Sequence, residues 1–395
     1  MRLALRDTLA ARHVKLREAL RAAQLDGFIV THLPNVFYLT NLLATAGIAV
    51  FMHDRLYLIL DFRYSAAARD LWESPSGCPN AEIIAVERTY DESLAALIKK
   101  LRPQRLGIEG ASLPIQRAYQ IARSVGASLE TGSGAPHALS LVVTDGIVER
   151  LRLVKDAHEI EMLRRGAMLL SAVAVDVLDD VKAGLSEQDF AAEIDWRIKS
   201  AGFERCSFET IVASGPHSAL PHAHPGNRAM REGDLVVLDF GGVYGGYCVD
   251  LTRTVALGRP DAEMQRVYDA VLEAQTAAIA AVRPGVRAGD IDAAARDALG
   301  RHDLAGAFGH GTGHGLGVEI HETPRIGPRR EATADAPAPP DEAIEPGMVF
   351  TIEPGAYLPG WGGVRIEDDV LVTSDGVDVL TNVPTQLDTH GLRRD

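Results

Sequence analysis

Cysteine is scarce in this chain, which has only three such residues in 395. They are Cys78, Cys206 and Cys248, and no two of them form a C-x-x-C pair. Disulfide-stapled domains and cysteine-ligated zinc sites need more cysteines at closer spacing. The scarcity therefore excludes both a disulfide scaffold and a zinc site built from thiolates.

Basic residues are too few to balance the acidic ones. The chain has 40 Lys and Arg against 54 Asp and Glu, which gives a formal net charge of −14. Proteins that bind nucleic acid carry a basic footprint, and anionic membranes attract basic segments. We therefore expect neither nucleic acid nor a membrane among the partners.

Long apolar runs are also missing. No stretch approaches the roughly 18 apolar residues that a membrane span requires, and residues 1–20 are charged throughout, unlike a signal peptide. The simplest expectation is a cytoplasmic protein. Hydrophobic residues make up 46% of the chain and charged residues 24%, as in folded globular proteins. The length suggests about two or three domains.

The first 145 residues alternate between two kinds of segment. Residues 3–24 predict an amphipathic helix, and apolar runs such as DGFIVTH and RLYLILD predict strands. Strands alternating with helices indicate an α/β domain over residues 1–145. We expect a second domain over residues 150–395, entered by a long helix at 155–181.

The second region contains an internal repeat. EGDLVVLDFGGVY aligns with EPGMVFTIEPGAY after a one-residue slip, which sets Asp239 against Glu353. GYCVDLTRTV then aligns with GVRIEDDVLV, which sets Asp250 against Glu367. Each half thus offers a strand pair that carries two carboxylates. We predict a duplicated α+β unit with two-fold pseudosymmetry, in which four carboxylates meet at one centre.

Four clustered carboxylates repel one another and raise each other's pKa. Two divalent cations remove the repulsion, and carboxylate-bridged metal pairs are a known hydrolytic device. The glycine-rich stretch GHGTGHGLGVEIHE supplies His310, His314 and His321 as candidates for a further ligand. An oxygen-rich set with one imidazole suits Mn(II), while Co(II), Zn(II) and Fe(II) stay open as alternatives.

Each of these residues also has a simpler interpretation. Asp239 and Glu353 could be turn residues, because Gly and Pro follow them. Asp250 could form a buried salt bridge with Arg253, Glu367 could belong to a solvated charge run, and a single histidine is more often structural. The combination favours the metal site. The chain also has no G-x-S-x-G elbow and no H-E-x-x-H zinc helix.

On these motifs, most of residues 150–380 resemble the pita-bread metallopeptidases. This family includes Xaa-Pro dipeptidase (prolidase), aminopeptidase P, methionine aminopeptidase and creatinase. The matching stretches follow the family's order: SALPHAHP, VVLDFGGVYGGYCVDLTRT, GHGTGHGLGVEIHE, GMVFTIEPGAY and GGVRIEDDVLVT. The first 145 residues resemble the family's creatinase-type N-terminal domain, best at PNVFYLTN. The resemblance implies an α/β N-terminal domain followed by an α+β pita-bread catalytic domain.

The resemblance also implies a ligand set for two divalent metal ions. Its five members are Asp239, Asp250, His314, Glu353 and Glu367. Asp250 and Glu367 would bridge the two ions. Glu353 would in addition take a proton from the attacking water and pass it to the proline nitrogen.

Further residues match positions around the family's substrate. His222 would face the substrate, with His224 as a competitor in the same stretch. His321 would contact the scissile carbonyl or the proline side, and His310 would line the pocket. The expected catalytic residues are therefore His222, His321 and Glu353. Two more residues match those that hold the metal-binding carboxylates: Tyr357 and Arg365.

The N-terminal domain argues against methionine aminopeptidase, and the intact ligand set argues against creatinase, which works without metal. The expected activity is that of an Xaa-Pro dipeptidase. The alternatives are aminopeptidase P, which cuts longer Xaa-Pro peptides, and a non-catalytic binding protein on the same fold. Expected partners are small proline-containing peptides and a second copy of the chain in a homodimer.

A dipeptidase needs a cationic group for the proline carboxylate, whereas a longer peptide needs open space. The candidate clamps are Arg325, Arg329 and Arg330, which could equally be solvated surface residues. The Ala/Pro-rich insertion at 331–343 predicts a surface loop. It lies between His321 and Glu353 and could act as a lid or have no role.

Overall fold

The computed structural model describes residues 2–130, 139–329 and 341–388. The chain divides into two compact units, one from Arg2 to Arg152 and the other from Leu153 onward. The domain extents 1–145 and 150–395 stay a prediction of the sequence. Arg330 and residues 331–340 of the predicted surface loop lie outside the described residues.

The first unit alternates strands and helices, as the sequence predicts. Its strands are β1 (Gly27–Val30), β2 (Ile48–Met52), β3 (Leu56–Leu60), β4 (Ala81–Ala85), β5 (Arg105–Glu109), β6 (Ser128–Glu130) and β7 (Ser140–Thr144). Its helices are α1 (Arg6–Ala22), α2 (Leu33–Thr40), α3 (Phe62–Glu73), α4 (Tyr90–Leu101), α5 (Ile115–Val125) and α6 (Ile147–Leu153). The strands form one mixed sheet in the order β4-β3-β2-β1-β5-β7-β6.

The PNVFYLTN stretch forms helix α2 of this unit. Glu109, at the end of β5, is buried and accepts hydrogen bonds from the main-chain nitrogens of Thr31 and His32, at 2.6 and 2.8 Å. It also accepts from Asn35 Nδ2 at 2.8 Å. A negative charge beside the N-terminus of a helix is favourable. The motif is therefore tied to the carboxyl ends of β1 and β5.

The second unit contains four long helices and eleven strands among its described residues. The helices are α7 (Ala157–Asp180), α8 (Glu187–Ser200), α9 (Ala262–Ala281) and α10 (Ala288–Gly300). The first-half strands are β8 (Arg205–Cys206), β9 (Ile211–Ser214), β10 (Leu235–Tyr244) and β11 (Tyr247–Ala256). The second-half strands are β12 (Gly313–Gly315), β13 (Glu322–Ile326), β14 (Val349–Ile352), β15 (Gly355–Leu358), β16 (Gly362–Arg365), β17 (Asp368–Val372) and β18 (Val377–Val379).

The first half is organised around the long hairpin of β10 and β11. Ten residues of each strand pair in antiparallel register, from Leu235 with Ala256 to Tyr244 with Tyr247. The two-residue turn is Gly245–Gly246, and both residues have positive φ, at 60° and 84°. Such a turn follows the twist of the strands and favours glycine. The hairpin brings Asp239 and Asp250 onto neighbouring strands.

The second half contains the predicted strand pair, but each of its two strands is interrupted. The segment aligned with β10 is broken into β14 and β15, and the segment aligned with β11 is broken into β16 and β17. Pro354 lacks the N–H that would continue the first strand. Glu353 and Glu367 therefore lie in the breaks, whereas Asp239 and Asp250 lie within continuous strands.

Three helices of the second unit, α7, α8 and α9, begin at side-chain caps. Asp156 accepts from the main-chain nitrogens of His158 and Glu159, and Glu159 returns a bond to the Asp156 nitrogen, which completes a capping box for α7. Ser186 and Asp261 cap α8 and α9 by accepting from the main-chain nitrogens of Asp189 and Met264. Apolar faces of α9 and α10 pack on the second-half strands in one hydrophobic core. In the described part of the chain, no helix is long and apolar enough to cross a membrane.

Candidate metal centre

The five predicted ligands line one cavity of about 570 Å³ in the second unit. Asp239 and Asp250 come from β10 and β11, and His314 comes from β12. Glu353 follows β14, and Glu367 precedes β17. Both halves of the repeat therefore contribute ligand candidates to the same wall.

Three of these side chains lie close enough to share one ion. One ligand atom from each of Asp250, His314 and Glu367 lies within 4.8 Å of the other two. Glu353 also lies near this cluster, with its Oε1 3.6 Å from His314 Nε2. The Oδ2 atom of Asp250 lies 3.9 Å from the same nitrogen.

The imidazole of His314 presents a lone pair to these carboxylates. Its Nδ1 lies 3.1 Å from the carbonyl oxygen of Gly315, and this bond places the ring proton on Nδ1 and leaves Nε2 as an acceptor. Burial lowers the pKa of His314 below its ordinary value. A neutral imidazole whose Nε2 faces carboxylate oxygens is suited to a cation between them.

The carboxylates are mostly buried and lie close to one another. Burial raises the pKa of Asp250 well above its usual range, and the charge of Asp239 adds to the shift. Burial likewise raises the pKa of Glu367, assisted by Asp250 and Glu353. For Glu353, burial raises the pKa to about 7, against the opposing influence of Arg365. The free energy of this arrangement therefore favours an added positive charge.

Two buried oxygen atoms at this centre have no hydrogen-bond partner among the described residues. They are Oδ1 of Asp239 and Oε1 of Glu367. An unpaired buried carboxylate oxygen is costly, so such an atom normally has a partner. The orphaned oxygens, the three-residue cluster and the one neutral imidazole all fit divalent metal ions that prefer oxygen ligands.

Arg365 provides the positive charge that the protein itself places at this centre. Its Nη2 donates to Oδ2 of Asp239, and its Nη1 donates to the hydroxyl oxygen of Tyr357 at 3.0 Å. Arg365 thus holds Asp239, and Tyr357 in turn holds Arg365. Tyr357 and Arg365 also lie close to His310, whose Nε2 is 2.9 Å from the Tyr357 hydroxyl.

The ring of His310 is fully occupied by these contacts. Its Nδ1 lies 2.8 Å from the carbonyl oxygen of Gly311, so the proton belongs on Nδ1 and the Tyr357 hydroxyl donates to Nε2. Burial lowers the pKa of His310 to about 4. His310 is therefore a neutral support for Tyr357, although it lines the cavity as the sequence predicts.

The other histidines lie at the open side of the cavity. His222, His224 and His321 all line it and are exposed. The His224 ring pairs with Glu209 at 3.0 Å. The rings of His321 and His314 pack edge to face with centroids 4.4 Å apart. Of the two competitors in SALPHAHP, His224 therefore already has a surface partner.

Several contacts around the centre were not predicted. The Thr252 hydroxyl donates to Glu367 Oε2 at 2.5 Å and accepts from Arg365 Nε at 3.1 Å. Arg253 pairs with Asp368 at 2.8 Å instead of Asp250, so the simpler interpretation of Asp250 as its partner is wrong. The spacing in DLTRT, with Thr252 two residues after Asp250, is the one available signal, because alternate strand residues share a face.

The clamp candidates differ in their surroundings. Arg325 lies on β13 opposite His314 in the strand register and lines the cavity. Arg329 instead pairs with Asp290 at 2.7 Å and with Asp341 at 2.9 Å. Arg330 lies outside the described residues. Arg325 is thus the clamp candidate that the structure places at the site.

Comparison with known proteins covers both units. Residues 161–374 match metallopeptidase family M24, and residues 12–154 match the creatinase/prolidase N-terminal domain. The chain is 38% identical to an Xaa-Pro dipeptidase of Pyrococcus furiosus over 243 residues, which is 62% of this chain and 67% of that protein.

Solved structures agree with this match in fold. An Xaa-Pro dipeptidase from Bacillus anthracis has a TM-score of 0.86 and 34% identity, over 96% of this chain and 99% of that one. An X-Pro aminopeptidase from Thermotoga maritima has a TM-score of 0.81 and 28% identity, over 94% and 99%. The expected pita-bread catalytic fold with a creatinase-type N-terminal domain is confirmed. The chain belongs to metallopeptidase family M24.

Proposed function

We propose that this chain is an Xaa-Pro dipeptidase that works with two divalent metal ions, Mn(II) first among them. The observation that carries the proposal is that all five candidate ligands line one cavity: Asp239, Asp250, His314, Glu353 and Glu367. Arg325 lines the same cavity. The names of the similar dipeptidases support the same substrate class. The five ligand assignments are part of the proposal.

The metal ions and the protein have separate tasks. Two bound divalent ions lower the pKa of a water molecule between them and stabilise negative charge on a carbonyl oxygen. Asp250 and Glu367 would hold both ions, and Asp239, His314 and Glu353 would complete the set. Arg365 and Thr252 fix the carboxylate oxygens that face away from the cavity.

Glu353 is the residue proposed to move the proton. An Xaa-Pro bond is a tertiary amide without an N–H, so its nitrogen must receive a proton before it leaves. The Oε1 atom of Glu353 lies within reach of the cavity and 3.5 Å from the Thr351 hydroxyl. We assign to it the transfer of the water proton to the proline nitrogen.

His321 and His222 are proposed to bind the substrate around the scissile bond. Both line the cavity at its exposed side. Donors aimed at a developing oxyanion contribute strongly to catalysis, and His321, next to His314, is the better placed for that role. His310 is proposed to act through Tyr357, because both of its ring nitrogens already have partners.

Arg325 is proposed to bind the carboxylate of the proline residue. It is exposed, and no other described residue forms a hydrogen bond or ion pair with its guanidinium. A guanidinium matches a carboxylate in a two-point contact. The resulting preference for a free carboxylate directly after proline is what distinguishes a dipeptidase from aminopeptidase P.

The test compares two substrates that differ in that charge, Ala-Pro and Ala-Pro-amide, with Mn(II)-loaded protein. We expect Arg325→Gln to raise KM for Ala-Pro by about 10- to 100-fold, since hydrogen bonds to charged groups are worth about 1.5–3 kcal/mol, and to leave KM for the amide unchanged. Arg329→Gln is the matched control and should change neither value. Equal effects of Arg325→Gln on both substrates would refute the clamp.

Aminopeptidase P is the second candidate, favoured by the similar X-Pro aminopeptidase structure. In that case wild-type protein cuts Ala-Pro-Ala faster than Ala-Pro, and Arg325→Gln has little effect on either. The homodimer and the cytoplasmic location stay predictions of the sequence.

A further inference from the structure

Side chains of helix α10 form hydrogen bonds with the segment that precedes His314. The carboxylate of Asp292, which is 1% exposed, accepts from Thr312 Oγ1 at 2.8 Å and from the Thr312 main-chain nitrogen at 3.2 Å. Arg296, one turn later, binds the same carboxylate through Nε at 2.7 Å. Asp292 is therefore a buried junction between a helix and one loop residue.

Arg296 forms further hydrogen bonds with residues of the loop that precede Thr312. Its guanidinium donates to the carbonyl oxygens of Phe308, at 3.0 Å, and His310. It also lies 4.4 Å above the centre of the Phe308 ring. The pair of Asp292 and Arg296 thus fixes the whole approach to β12 from one face of α10.

Thr312 passes this restraint on to two ligand candidates. Its carbonyl oxygen accepts from the main-chain nitrogen of Glu353 at 2.7 Å. His314 lies two residues further along the chain, and its main-chain nitrogen donates to the Thr351 hydroxyl at 3.1 Å. Gly313 lies between Thr312 and His314 and lets β12 approach β14. A Cβ at this position would lie 1.9 Å from the main-chain carbonyl oxygen of Thr351. Any movement of Thr312 therefore moves Glu353 and His314 together.

The first half contains a similar threonine–aspartate bond, although Asp195 lies one helical turn later on α8 than Asp292 does on α10. Thr210, which precedes β9 as Thr312 precedes β12, donates its hydroxyl proton to Oδ1 of Asp195 on α8 at 2.6 Å. Both threonines are buried. Each half thus has a Thr–Asp bond between the loop and the helix, which is buried in the second half and partly buried in the first.

The two Thr–Asp bonds differ in how much the position of a nearby ligand candidate depends on them. Asp239, the counterpart of Glu353, lies in the middle of β10 and pairs with Thr252 on one side and Ile211 on the other. Its main chain is therefore held by a continuous ladder. Glu353 follows the end of β14, and its nitrogen bonds to Thr312.

We propose that Asp292 is a positioning residue for the metal centre, acting through Thr312 on Glu353 and His314, and that Asp195 has no such role. This inference rests on the proposed metal centre and goes beyond the ligand set itself. Partners of metal ligands outside the coordination shell typically contribute about 10- to 100-fold to metal affinity. Asp292 is one hydrogen bond further from the proposed metal site than such partners are, but it acts on two ligand candidates.

The experiment titrates Mn(II) into chelator-treated protein by calorimetry, so it does not depend on peptide hydrolysis. We expect Asp292→Asn to weaken Mn(II) binding by at least about 10-fold and Thr312→Val to weaken it in the same direction. Asp195→Asn and Thr210→Val remove the first-half bond and should change the Kd by less than about twofold, although they too should lower the thermal unfolding midpoint. Thr312→Val and Thr210→Val keep the comparison available if an Asn variant does not fold.

Two results would overturn the inference. Equal weakening by the variants of both halves would mean that the bonds only stabilise the fold. Unchanged Mn(II) affinity in folded Asp292→Asn and Thr312→Val would mean that Thr312 does not position the ligands. Wild-type protein that binds no Mn(II) would contradict the proposed centre itself, and a wild type that binds Mn(II) but cuts no Xaa-Pro peptide would contradict the proposed function alone.

Discussion

Thr252 donates its hydroxyl proton to Oε2 of Glu367 at 2.5 Å and so joins β11 of the first half to a carboxylate of the second half. The Thr252 hydroxyl oxygen in turn accepts a hydrogen bond from Arg365 Nε at 3.1 Å. One small side chain therefore connects Glu367 to the arginine that holds Asp239. Its removal tests whether the carboxylates are prearranged.

Thr252→Val keeps the shape of the side chain and removes both hydrogen bonds. We expect a weaker affinity for Mn(II), by about 10-fold, because Glu367 loses the donor that orients it. The control is Thr254→Val, on the same face of the strand, whose hydroxyl bonds only to the main chain of Arg365. Calorimetric titration of both variants checks the prediction, and equal losses would refute it.

Glu353→Gln keeps an oxygen for the metal but cannot carry a proton. We expect kcat for Ala-Pro to fall by about 10²- to 10⁴-fold, the usual contribution of general acid–base catalysis. Metal content, measured on the same sample by elemental analysis, should stay near that of the wild type. Near wild-type turnover at full metal loading would show that another group moves the proton.

The metal-free protein should lose stability as pH rises because of Glu353. The pKa of a glutamate in an unfolded chain is about 4.3, and burial raises the folded pKa of Glu353 to about 7. A raised folded pKa means that the stabilisation is complete below about 4.3 and is lost as pH rises through about 7. The pKa values of Asp250 and Glu367 are shifted in the same direction.

The measurement is the unfolding free energy of chelator-treated wild type and Glu353→Gln from pH 4.5 to 8. Relative to this variant, the wild type should become less stable with rising pH. The affinity for Mn(II) should rise over the same range, since the ligands must release protons to bind metal. A flat difference between wild type and variant would contradict the raised pKa.

Lys155 and Glu322 form a buried ion pair beside the loop that carries His321. Their charged atoms lie 3.1 Å apart, with side chains 0% and 6% exposed. Lys155→Met alone should destabilise the protein by about 3–5 kcal/mol, because it leaves a buried carboxylate without its cation. Lys155→Met combined with Glu322→Gln should recover part of that loss.

Denaturant unfolding of the single and double variants tests the prediction for Lys155 and Glu322. The surface pair of Arg266 and Glu263 is the control, with side chains 44% and 47% exposed. Arg266→Met should cost less than about 1 kcal/mol. A Lys155→Met effect as small as that of Arg266→Met would show that the buried pair is not important for stability.

Much of the centre could be predicted from local pattern. The alignment of the two halves pointed to Asp239, Asp250, Glu353 and Glu367, because the repeat keeps carboxylates at equivalent strand positions. The helix predicted at 155–181 is observed at Ala157–Asp180, where the capping box fixes its start. The helix predicted at 3–24 is observed at Arg6–Ala22 and begins without a side-chain cap.

The supporting contacts could not be predicted because their partners are distant in sequence. Lys155 and Glu322 are 167 residues apart, and Thr252 and Glu367 are 115 apart. No periodic pattern links such residues, and the partners meet only once the strands are in register. The breaks at Glu353 and Glu367 cannot be inferred from the repeat, because the aligned strands β10 and β11 of the first half are continuous.

The most direct test of the account is proline release by Mn(II)-loaded wild-type protein from Ala-Pro, with Ala-Ala as the matched substrate without proline. The account predicts rapid cleavage of Ala-Pro, far slower cleavage of Ala-Ala, loss of activity on chelation, and recovery as a second equivalent of Mn(II) binds. Protein that holds its metal but leaves Ala-Pro intact, or that cuts Ala-Ala equally well, would contradict it.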